Sequence, residues 1–368
     1  MKIKRVLKWS FGAIFLALIG WLFVAYWTST NDCNRNPATP NNPMKAIVNC
    51  EYGVENLRLR DLEKPAPNDN EVLVRVRAAS INPADGHLIR GMWLMRPMMG
   101  MRKPKNTRFG TDFAGVVEAV GKNVTEFKPG DEVFGAKNGA VAEYICVPAN
   151  KGVVLKPGNI TFEQAGSVAI AGLTALQGLR DKGHIQAGQK VLINGASGGV
   201  GTFAVQIAKA FGAEVTGVCS TRNVDLVKSI GADHVIDYTK EDFTKTDQRY
   251  DMIYDLVGNH SFSERRNILK PNGISVLAGM GGAALHPESW GRLGANFASA
   301  FRSKFTNEKF VTYIAKLTKD DLNVVRDLMQ SGKVAPVIDR TYKISETQAA
   351  VRYLEEGHAR GKVVIAVE

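Results

Sequence analysis

The segment from Lys190 to Arg222 constrains the fold of this chain more than any other stretch. Its apolar run Val191–Asn194 predicts a buried strand, and Gly195–Gly201 predicts a turn of small residues. Thr202–Phe211 is apolar at helical spacing, and Glu214–Cys219 predicts a second buried strand. A strand, a glycine-rich turn, a helix and a strand within about 30 residues form the context in which a glycine pattern predicts a dinucleotide site.

The turn itself reads A-S-G-G-V-G, with Ala196 where a dinucleotide-binding turn usually has its first glycine. Gly198, Gly199 and Gly201 lack a Cβ and let main chain approach a pyrophosphate, and the following helix offers unpaired N–H groups and the positive end of its dipole. The alternative is a glycine turn with a purely structural role. The sequence favours nucleotide binding, and the residues predicted to line the phosphates are Ser197, Gly198, Gly199 and Val200.

The end of the second strand predicts which nucleotide binds. An NAD site usually has Asp or Glu there, about 20 residues after the turn, to bind the ribose 2′-hydroxyl. This chain has Ser220, Thr221 and Arg222 instead. Hydroxyls and a guanidinium suit a 2′-phosphate, and no carboxylate stands at this strand end to repel it. We therefore expect NADPH, bound by Ser220 and Arg222. The alternative is an ordinary exposed arginine at a strand end.

Length, charge and cysteine spacing narrow the class of protein. The 368 residues suffice for two domains with separate cores. The net charge of +11 is distributed without a long basic block, which argues against nucleic-acid binding. The four cysteines, Cys33, Cys50, Cys146 and Cys219, contain no C-x-x-C pair. We expect buried, inert thiols rather than a disulfide framework or a zinc site.

Residues 1–43 are typical of a membrane anchor followed by a tether. Trp9–Trp27 holds no charge and is long enough to span a bilayer as a transmembrane helix. A secretory h-region is usually shorter and ends at a small-residue cleavage site, so an uncleaved single-pass anchor is favoured over a cleaved signal. Asn31–Pro43 is polar and proline-rich, as linkers are.

The sequence leaves open which side of the membrane the body faces. The basic residues between Lys2 and Lys8 precede the span and predict a cytoplasmic N-terminus, with the body on the far side. NADPH is a cofactor of the cytosol or the mitochondrial matrix, which favours the opposite orientation. The argument from the compartment of the cofactor carries slightly more weight than the argument from the basic residues.

Residues 44–368 are predicted to contain a part made of strands, followed by a part in which strands and helices alternate. Strand-like runs separated by turn signals first predict an all-β module, namely Lys45–Cys50, Glu71–Ala78, Phe113–Val120 and Val141–Val147. From Thr161 strands and helices alternate, which predicts an α/β fold with a doubly wound parallel sheet. The last elements predicted are helices at Lys319–Ser331 and Glu346–Glu356 and strands at Val334–Ile338 and Lys362–Val367.

Several short segments of the sequence resemble the motifs of a known family. They are I-N-P-A-D (81–85), G-T-D-F-A-G-V-V-E-A-V-G (110–121), K-P-G-D-E-V-F-G (128–135), A-G-L-T-A-L (171–176), G-A-D-H-V-I-D-Y (231–238), D-L-V-G (255–258) and G-H-A-R-G-K-V-V-I (357–365), together with the glycine turn. Over residues 44–368 the chain resembles the medium-chain dehydrogenase/reductase superfamily, in its zinc-independent quinone oxidoreductase branch.

The resemblance implies a division of the body into domains. Residues 44–165 would form the first part of a GroES-like β-barrel catalytic domain, and residues 166–308 a Rossmann NADPH-binding domain. Residues 309–368 would complete the catalytic domain. The active site would lie in the cleft between the domains, and the activity would be NADPH-dependent reduction of quinones or α,β-unsaturated carbonyls. A homodimer through the edge of the Rossmann sheet is also implied.

The resemblance further implies a site without metal. Zinc alcohol dehydrogenases of the superfamily have a Cys near Asn82–Asp85 and a His near Thr111, and this chain has neither, so we expect no metal. Negative charge developing on the substrate oxygen then needs hydrogen-bond donors. Asn82 is the family's usual donor, and His87 stands where relatives often have Tyr. Alternatively, Asn82 shapes a loop and His87 is packing; Asp85 is favoured as a turn or helix cap.

Further cofactor contacts come from the resemblance alone. Thr174 would lie near the phosphates or the nicotinamide, and Tyr238 beside the 2′-phosphate or the adenosine. Val257, Gly258 and Gly279 would flank the nicotinamide with main-chain groups. The alternative for Tyr238 is an ordinary aromatic residue at a strand end.

Two unusual stretches bear on the substrate. Gly91–Arg108 is rich in Met and basic residues, and Gly281–Lys304 contains Trp, Phe and basic residues. Flexible thioethers suit adaptable apolar pockets, and apolar groups flanked by Lys and Arg suit a membrane surface. We expect an entrance for a small lipophilic substrate near the bilayer. The alternative is a core-filling loop and a helix.

Two other functions compete with this interpretation. One is an alcohol or aldehyde dehydrogenase, which the missing zinc ligands disfavour. The other is a membrane-tethered, nucleotide-sensing scaffold without turnover, which an intact glycine turn does not exclude.

Overall fold

The computed structural model of the protein describes residues 17, 19–21, 23–33, 40–92, 96–278, 298, 299 and 302–367. The strands of this part of the chain are β1 Pro43–Asn49, β2 Leu57–Glu63, β3 Glu71–Ile81, β4 Asp112–Val120, β5 Glu132–Ala136, β6 Tyr144–Pro148, β7 Val153–Leu155, β8 Lys190–Asn194, β9 Glu214–Cys219, β10 His234–Asp237, β11 Tyr250–Asp255, β12 Leu269–Ala278, β13 Lys309–Tyr313, β14 Ile338–Lys343 and β15 Lys362–Ala366. The α-helices are α1 Pro83–Arg90, α2 Arg96–Met99, α3 Phe162–Ala165, α4 Ala169–Gln177, α5 Gly199–Ala210, α6 Val224–Ser229, α7 Phe262–Asn267, α8 Lys319–Gln330 and α9 Thr347–Glu355.

A six-stranded parallel sheet has the order β10-β9-β8-β11-β12-β13. Its central strand β8 is buried on both faces: Val191 and Ile193 join the core beneath α4 and α5, and Leu192 joins a separate core on the opposite face. A parallel strand covered on both sides needs a continuous apolar run, which is what the sequence has there. The predicted α/β, doubly wound parallel sheet is therefore confirmed.

A second, mainly antiparallel sheet has the order β14-β15-β3-β4-β5-β7, with β6 also pairing with β3. A separate hairpin joins β1 to β2. Strand β15 pairs antiparallel with the end of β3, where Val363 stands opposite Ile81. The C-terminal strand thereby brings Lys362 beside Asn82, although 280 positions separate them. This sheet is the all-β module that the sequence predicted, with the C-terminal strand added to it.

Several boundaries differ from those predicted, among them the strand predicted at Val141–Val147, which begins at Tyr144. Helix α5 begins at Gly199 rather than Thr202, because the last glycines of the turn already have helical backbone. The strand predicted at Val334–Ile338 begins only at Ile338, because Gln206 holds Ala335 through side-chain bonds to its N–H and carbonyl. Strand β13 pairs with β12, so the parallel sheet extends past residue 308. The other domain boundaries stay predictions.

The expectation that all four cysteines are free thiols is wrong for two of them. Cys33 and Cys50 form a disulfide, with their Cα atoms 5.7 Å apart. The chain folds back between them, and Asn31 Nδ2 donates to the Cys50 carbonyl over 2.8 Å. A separation of 17 residues did not reveal this fold-back. Cys146 and Cys219 are buried free thiols, as predicted, and burial raises the pKa of each to about 11.

Some predictions fall on residues outside the described part. The segment Trp9–Trp27 is described only at 17, 19–21 and 23–27. Within the described residues, no helix has both the length and the apolar character needed to cross a membrane. Gly279 and most of Gly281–Lys304 also lie outside the described residues.

Candidate active site

The glycine turn after β8 has two kinds of glycine. A Cβ added at Gly198, which precedes α5, would meet only the Gly195 carbonyl oxygen, at 3.5 Å. A Cβ at Gly201 would lie 2.1 Å from the same oxygen. The packing of the turn itself accounts for Gly201, which the sequence had suggested for approach to the pyrophosphate. The open space at Gly198 allows a ligand to approach the main chain. Helix α5 begins at Gly199, directly after this space, and its first N–H groups have no partner within the helix.

Two predicted serines, Ser197 and Ser220, are joined by a residue that the sequence analysis missed. Asn223 is buried, and its Nδ2 donates to Ser197 Oγ over 3.0 Å and to Ser220 Oγ over 3.1 Å. Because both hydroxyls accept from Asn223, each keeps its own proton for an outside acceptor such as a phosphate oxygen. Asn223 Oδ1 is buried without a hydrogen-bond partner among the described residues. Asn223 Oδ1 can therefore still accept a hydrogen bond from a ligand.

Basic side chains stand at the ends of β9 and β10. Arg222 is exposed, and its Nη2 donates to the His358 carbonyl over 2.6 Å. Lys240, which the sequence analysis did not single out, is also exposed, with its Nζ 3.4 Å from Asp237 Oδ2. Tyr238 is 58% exposed and lies between these strand ends. The structure therefore brings Ser220, Arg222 and Tyr238 to one edge of the sheet.

The expectation that no carboxylate lies near Thr221 is wrong. Asp237, at the end of the neighbouring strand, accepts a hydrogen bond from Thr221 Oγ1 over 2.6 Å. It also accepts from the N–H and hydroxyl of Thr239. These bonds, with that from Thr221 the largest cause, lower the pKa of Asp237 to about 2. Its charge is thus engaged by hydroxyl donors and by Lys240 rather than left unpaired.

Val257 and Gly258 lie in the loop after β11, beside the glycine turn. A Cβ built on Gly195 would be 3.0 Å from Val257 Cγ2. Asp255 Oδ1 accepts from the main-chain N–H groups of Val257, at 3.1 Å, and Gly258, at 2.9 Å. Asp255 therefore fixes this loop and occupies its donors. Main-chain carbonyls are what Val257 and Gly258 can still offer to a ligand.

Thr174 lies on α4, where its hydroxyl donates to the Ile170 carbonyl over 2.7 Å. Its own carbonyl accepts from the hydroxyls of Tyr254 and Tyr313, which ties α4 to the parallel sheet. Because the Thr174 hydroxyl donates its proton to the Ile170 carbonyl, its Oγ1 can act toward a ligand only as an acceptor.

Asn82 is the N-cap residue of α1, and its main-chain carbonyl accepts from the Asp85 N–H over 2.9 Å. Asp85 Oδ2 accepts from the Asn82 N–H over 2.8 Å, and Oδ1 accepts from Thr111 Oγ1 over 3.0 Å. The helix-cap interpretation of Asp85 is confirmed. Burial, reinforced by the nearby charge of Asp112, raises the pKa of Asp85 to about 6 despite these bonds.

The side chain of Asn82 is held by two charged residues that the sequence analysis missed. Its Nδ2 donates to Asp112 Oδ2 over 3.0 Å, and its Oδ1 accepts from Lys362 Nζ over 2.6 Å. Asp112 Oδ1 accepts from the Ile170 N–H over 2.9 Å, so the helix of Thr174 meets the Asn82 cluster at this carboxylate. The available signals were an Asp immediately before the predicted strand Phe113–Val120 and a Lys at the start of the predicted strand Lys362–Val367.

His87 is half-buried on α1. Its Nδ1 is buried without a partner among the described residues. Burial lowers the pKa of His87, and the charge of Glu355 opposes that shift only in part. The imidazole is therefore favoured in its neutral form near neutral pH. In the described part of the chain, no group of three His, Cys, Asp or Glu side chains is placed to hold a metal ion.

Comparison with known proteins gives matches over both sheets. Residues 68–158 match the family described as alcohol dehydrogenase GroES-like domain, and residues 230–365 match the family described as zinc-binding dehydrogenase. The mitochondrial NAD(P)H oxidoreductase RTN4IP1 of Mus musculus is 35% identical over 326 residues, covering 81% of this chain and 82% of that protein.

Two further proteins show similar coverage. The chloroplastic NADPH-dependent alkenal/one oxidoreductase of Arabidopsis thaliana is 34% identical over 338 residues, covering 88% of this chain and 79% of that protein. The solved structure of a quinone oxidoreductase from Coxiella burnetii superposes with a TM-score of 0.75 at 30% identity, covering 89% of this chain and all of that one.

Proposed function

This chain belongs to the medium-chain dehydrogenase/reductase superfamily, and from that membership we propose that it is a zinc-independent, NADPH-dependent oxidoreductase acting on a quinone or an α,β-unsaturated carbonyl. One observation carries the proposal. Lys362 Cδ lies 3.1 Å from a Cβ built on Gly199, and Lys362 Nζ lies 2.6 Å from Asn82 Oδ1. The glycine turn and the Asn82 amide therefore lie on either side of one lysine, as a nucleotide site next to a carbonyl site requires.

The residues at the sheet edge suit NADPH. The turn at Gly198 and the start of α5 would hold the pyrophosphate, with Ser197 donating its hydroxyl proton. Ser220, Arg222 and Lys240 would hold the 2′-phosphate, since a dianion needs both donors and positive charge. Open space at Gly198 and the unpartnered Asn223 Oδ1 are the features of this structure that favour a polar ligand there. When bound, NADPH supplies the hydride for the reduction.

The part of the chain around Asn82 would act on the substrate oxygen. One N–H of Asn82 Nδ2 is used by Asp112, and the other has no partner among the described residues. That second N–H is proposed to donate to the substrate oxygen, where negative charge grows during reduction. His87, neutral and with an unpartnered Nδ1, is proposed to supply a second hydrogen bond or a proton.

A cavity beside α1 supports a lipophilic substrate. It has a volume of about 240 Å³ and is lined by apolar side chains that include Leu88, Ile89, Met98, Met99 and Phe109. Asp85, whose main-chain partner is Asn82, also borders it. The cavity contains Asn49, which is buried and whose Oδ1 lacks a partner among the described residues. The apolar part of a quinone or enone would fit against these apolar side chains.

Membrane attachment through Trp9–Trp27 is part of the proposal. The described residues of this segment expose large apolar side chains, among them Trp21, Phe23 and Trp27. Just after it, Ser29 is buried and its Oγ accepts from the N–H groups of Arg102 and Lys103. An anchor ending there would hold the basic loop 102–108, and the cavity behind it, close to the lipid surface. A homodimer through an edge of the parallel sheet remains a further proposal.

The decisive experiment follows NADPH oxidation by the detergent-solubilised full chain with 1,4-naphthoquinone and with trans-2-hexenal. We expect turnover of at least one of them, a preference for NADPH over NADH, and no dependence on added zinc. Oxidation of alcohols by a zinc-loaded protein would instead establish an alcohol dehydrogenase. Tight NADPH binding without turnover over a wide panel of quinones and enones would favour a sensing scaffold.

A further inference from the structure

Lys362 is a buried cation whose bonds are all made to the protein. Its side chain is 3% exposed. Nζ donates to Asn82 Oδ1 over 2.6 Å, to Asp112 Oδ2 over 3.3 Å and to the Ile81 carbonyl over 3.5 Å. An ammonium group has three protons, and three acceptors surround this one. Lys362 is therefore placed to organise its neighbours rather than to touch a substrate.

The two charges around Asn82 determine how its amide is oriented. Lys362 can only donate, so it must face Oδ1; the Asp112 carboxylate can only accept, so it must face Nδ2. A flipped amide would put N–H groups against the ammonium and an oxygen against the carboxylate. Asp112 is itself fixed by donors from Ser80 Oγ, at 2.9 Å, and the Ile170 N–H, at 2.9 Å. The free N–H of Asn82 consequently points in one direction.

The stem of Lys362 reaches the other half of the site. Its Cδ lies 3.1 Å from a Cβ built on Gly199, and the Gly361 carbonyl oxygen lies 3.4 Å from it. We propose that Lys362 is a positioning residue. It fixes the Asn82 amide for hydrogen bonding to the substrate oxygen, and it holds that amide at a fixed position relative to the glycine turn. This proposal rests on the oxidoreductase function proposed above and adds a residue to it.

The test is a double-mutant cycle between Asn82 and Lys362, measured on the detergent-solubilised full chain with NADPH and 1,4-naphthoquinone. Lys362→Met keeps the stem against Gly199 and removes the ammonium. We expect kcat to fall roughly 10- to 100-fold, which is less than the roughly 100- to 1,000-fold loss on removing such a donor, because Asn82 itself remains. The dissociation constant for NADPH, followed by tryptophan fluorescence, should change less than about threefold. In an Asn82→Ala background, Lys362→Met should have little further effect on kcat.

Removing one partner of a buried ion pair can prevent folding. The variant Lys362→Met/Asp112→Asn keeps the site neutral, and it replaces the single variant in the cycle if that one does not fold. Lys319→Met, which removes a partly buried lysine paired with Glu126, is the matched control and should leave kcat and NADPH binding unchanged.

The outcomes separate the two proposals. A kcat within threefold of the wild type in a folded Lys362 variant would overturn the positioning role, and so would an equal loss of kcat with and without Asn82. If the wild-type protein binds NADPH but turns over neither quinones nor enones, the proposed function itself fails.

Discussion

The Nη2 atom of Arg222 donates a hydrogen bond to the main-chain carbonyl of His358 over 2.6 Å. The guanidinium that we expect to bind the 2′-phosphate is thereby held by the loop that precedes the last strand. The same loop continues through Gly361, whose carbonyl oxygen would lie 3.4 Å from a Cβ on Gly199. The C-terminal residues thus contact the proposed nucleotide site at Arg222 and at the glycine turn.

Arg222→Ala should weaken NADPH binding and leave NADH binding nearly unchanged. A hydrogen bond to a charged group contributes about 1.5–3 kcal/mol, so we expect a roughly 10- to 150-fold higher Kd for NADPH. Fluorescence titration with both nucleotides measures the effect. Arg249→Ala removes an exposed arginine at the beginning of β11, the opposite end of that strand from the loop containing Val257, and serves as the control. An equal loss for NADPH and NADH would contradict contact with the 2′-phosphate.

Gly198 and Gly201 should respond differently to alanine. Gly201→Ala places a Cβ 2.1 Å from the Gly195 carbonyl oxygen, so the main chain must move, and we expect a loss of about 2–3 kcal/mol of stability.

In Gly198→Ala the new Cβ meets nothing closer than 3.5 Å, so the variant should fold with a stability within about 0.5 kcal/mol of the wild type. It should still weaken NADPH about tenfold or more, because the new methyl group occupies the space for the phosphates. Urea unfolding and fluorescence titration distinguish the two effects; a Gly198→Ala protein with normal NADPH affinity would place the phosphates elsewhere.

The sequence predicted the features that depend on local pattern. Strand β9 occupies the predicted Glu214–Cys219, and its last five residues are buried, as expected of a parallel strand covered on both faces. The capping role of Asp85 also follows from short spacing, since its carboxylate reaches the N–H of Asn82 three residues earlier.

Contacts between residues far apart in sequence were not predictable from it. Lys362 reaches Asn82 through the pairing of β15 with β3, and Asp237 reaches Thr221 from the neighbouring parallel strand. The side chain of Asn223 joins Ser197 and Ser220, and nothing in the sequence around Asn223 indicates these contacts. In each case the sequence shows the residue type but not the strand pairing or fold-back that gives it a partner.

The disulfide between Cys33 and Cys50 should stabilise the docking of residues 29–33 on the body. Closing a loop of this length contributes about 3 kcal/mol, so reduction should lower the urea midpoint of wild-type protein. The Cys33→Ser/Cys50→Ser variant, already without the bond, should show no further change on reduction.

The same disulfide bears on the orientation of the proposed membrane anchor. Disulfides persist in oxidising compartments, which agrees with the orientation that the basic residues before Trp9 predict, whereas the cofactor favours the reducing side. We expect membranes alkylated before solubilisation to yield a linked Cys33–Cys50 peptide. Two alkylated, unlinked cysteines would instead place the body on the reducing side, where NADPH is made.

Asp85 should give the protein a measurable pH dependence of stability. Its pKa is raised from 3.8 to about 6 in the folded protein, chiefly because the carboxyl is buried. A raised pKa means that folding disfavours the ionised form, so the contribution of Asp85 to stability is fully present below about pH 4 and is lost as pH rises through about 6.

The variant Asp85→Asn tests this dependence, because it keeps an oxygen that can accept from the Asn82 N–H and cannot ionise. Relative to wild type, its free energy of unfolding should therefore rise by about 2–3 kcal/mol between pH 4 and pH 7. Urea unfolding at both pH values measures this difference, with Asp131→Asn, which removes a half-exposed carboxylate from a turn, as the control. If the Asp85→Asn difference is the same at both pH values, the carboxyl titrates alike in folded and unfolded chains, and its burial has no electrostatic cost.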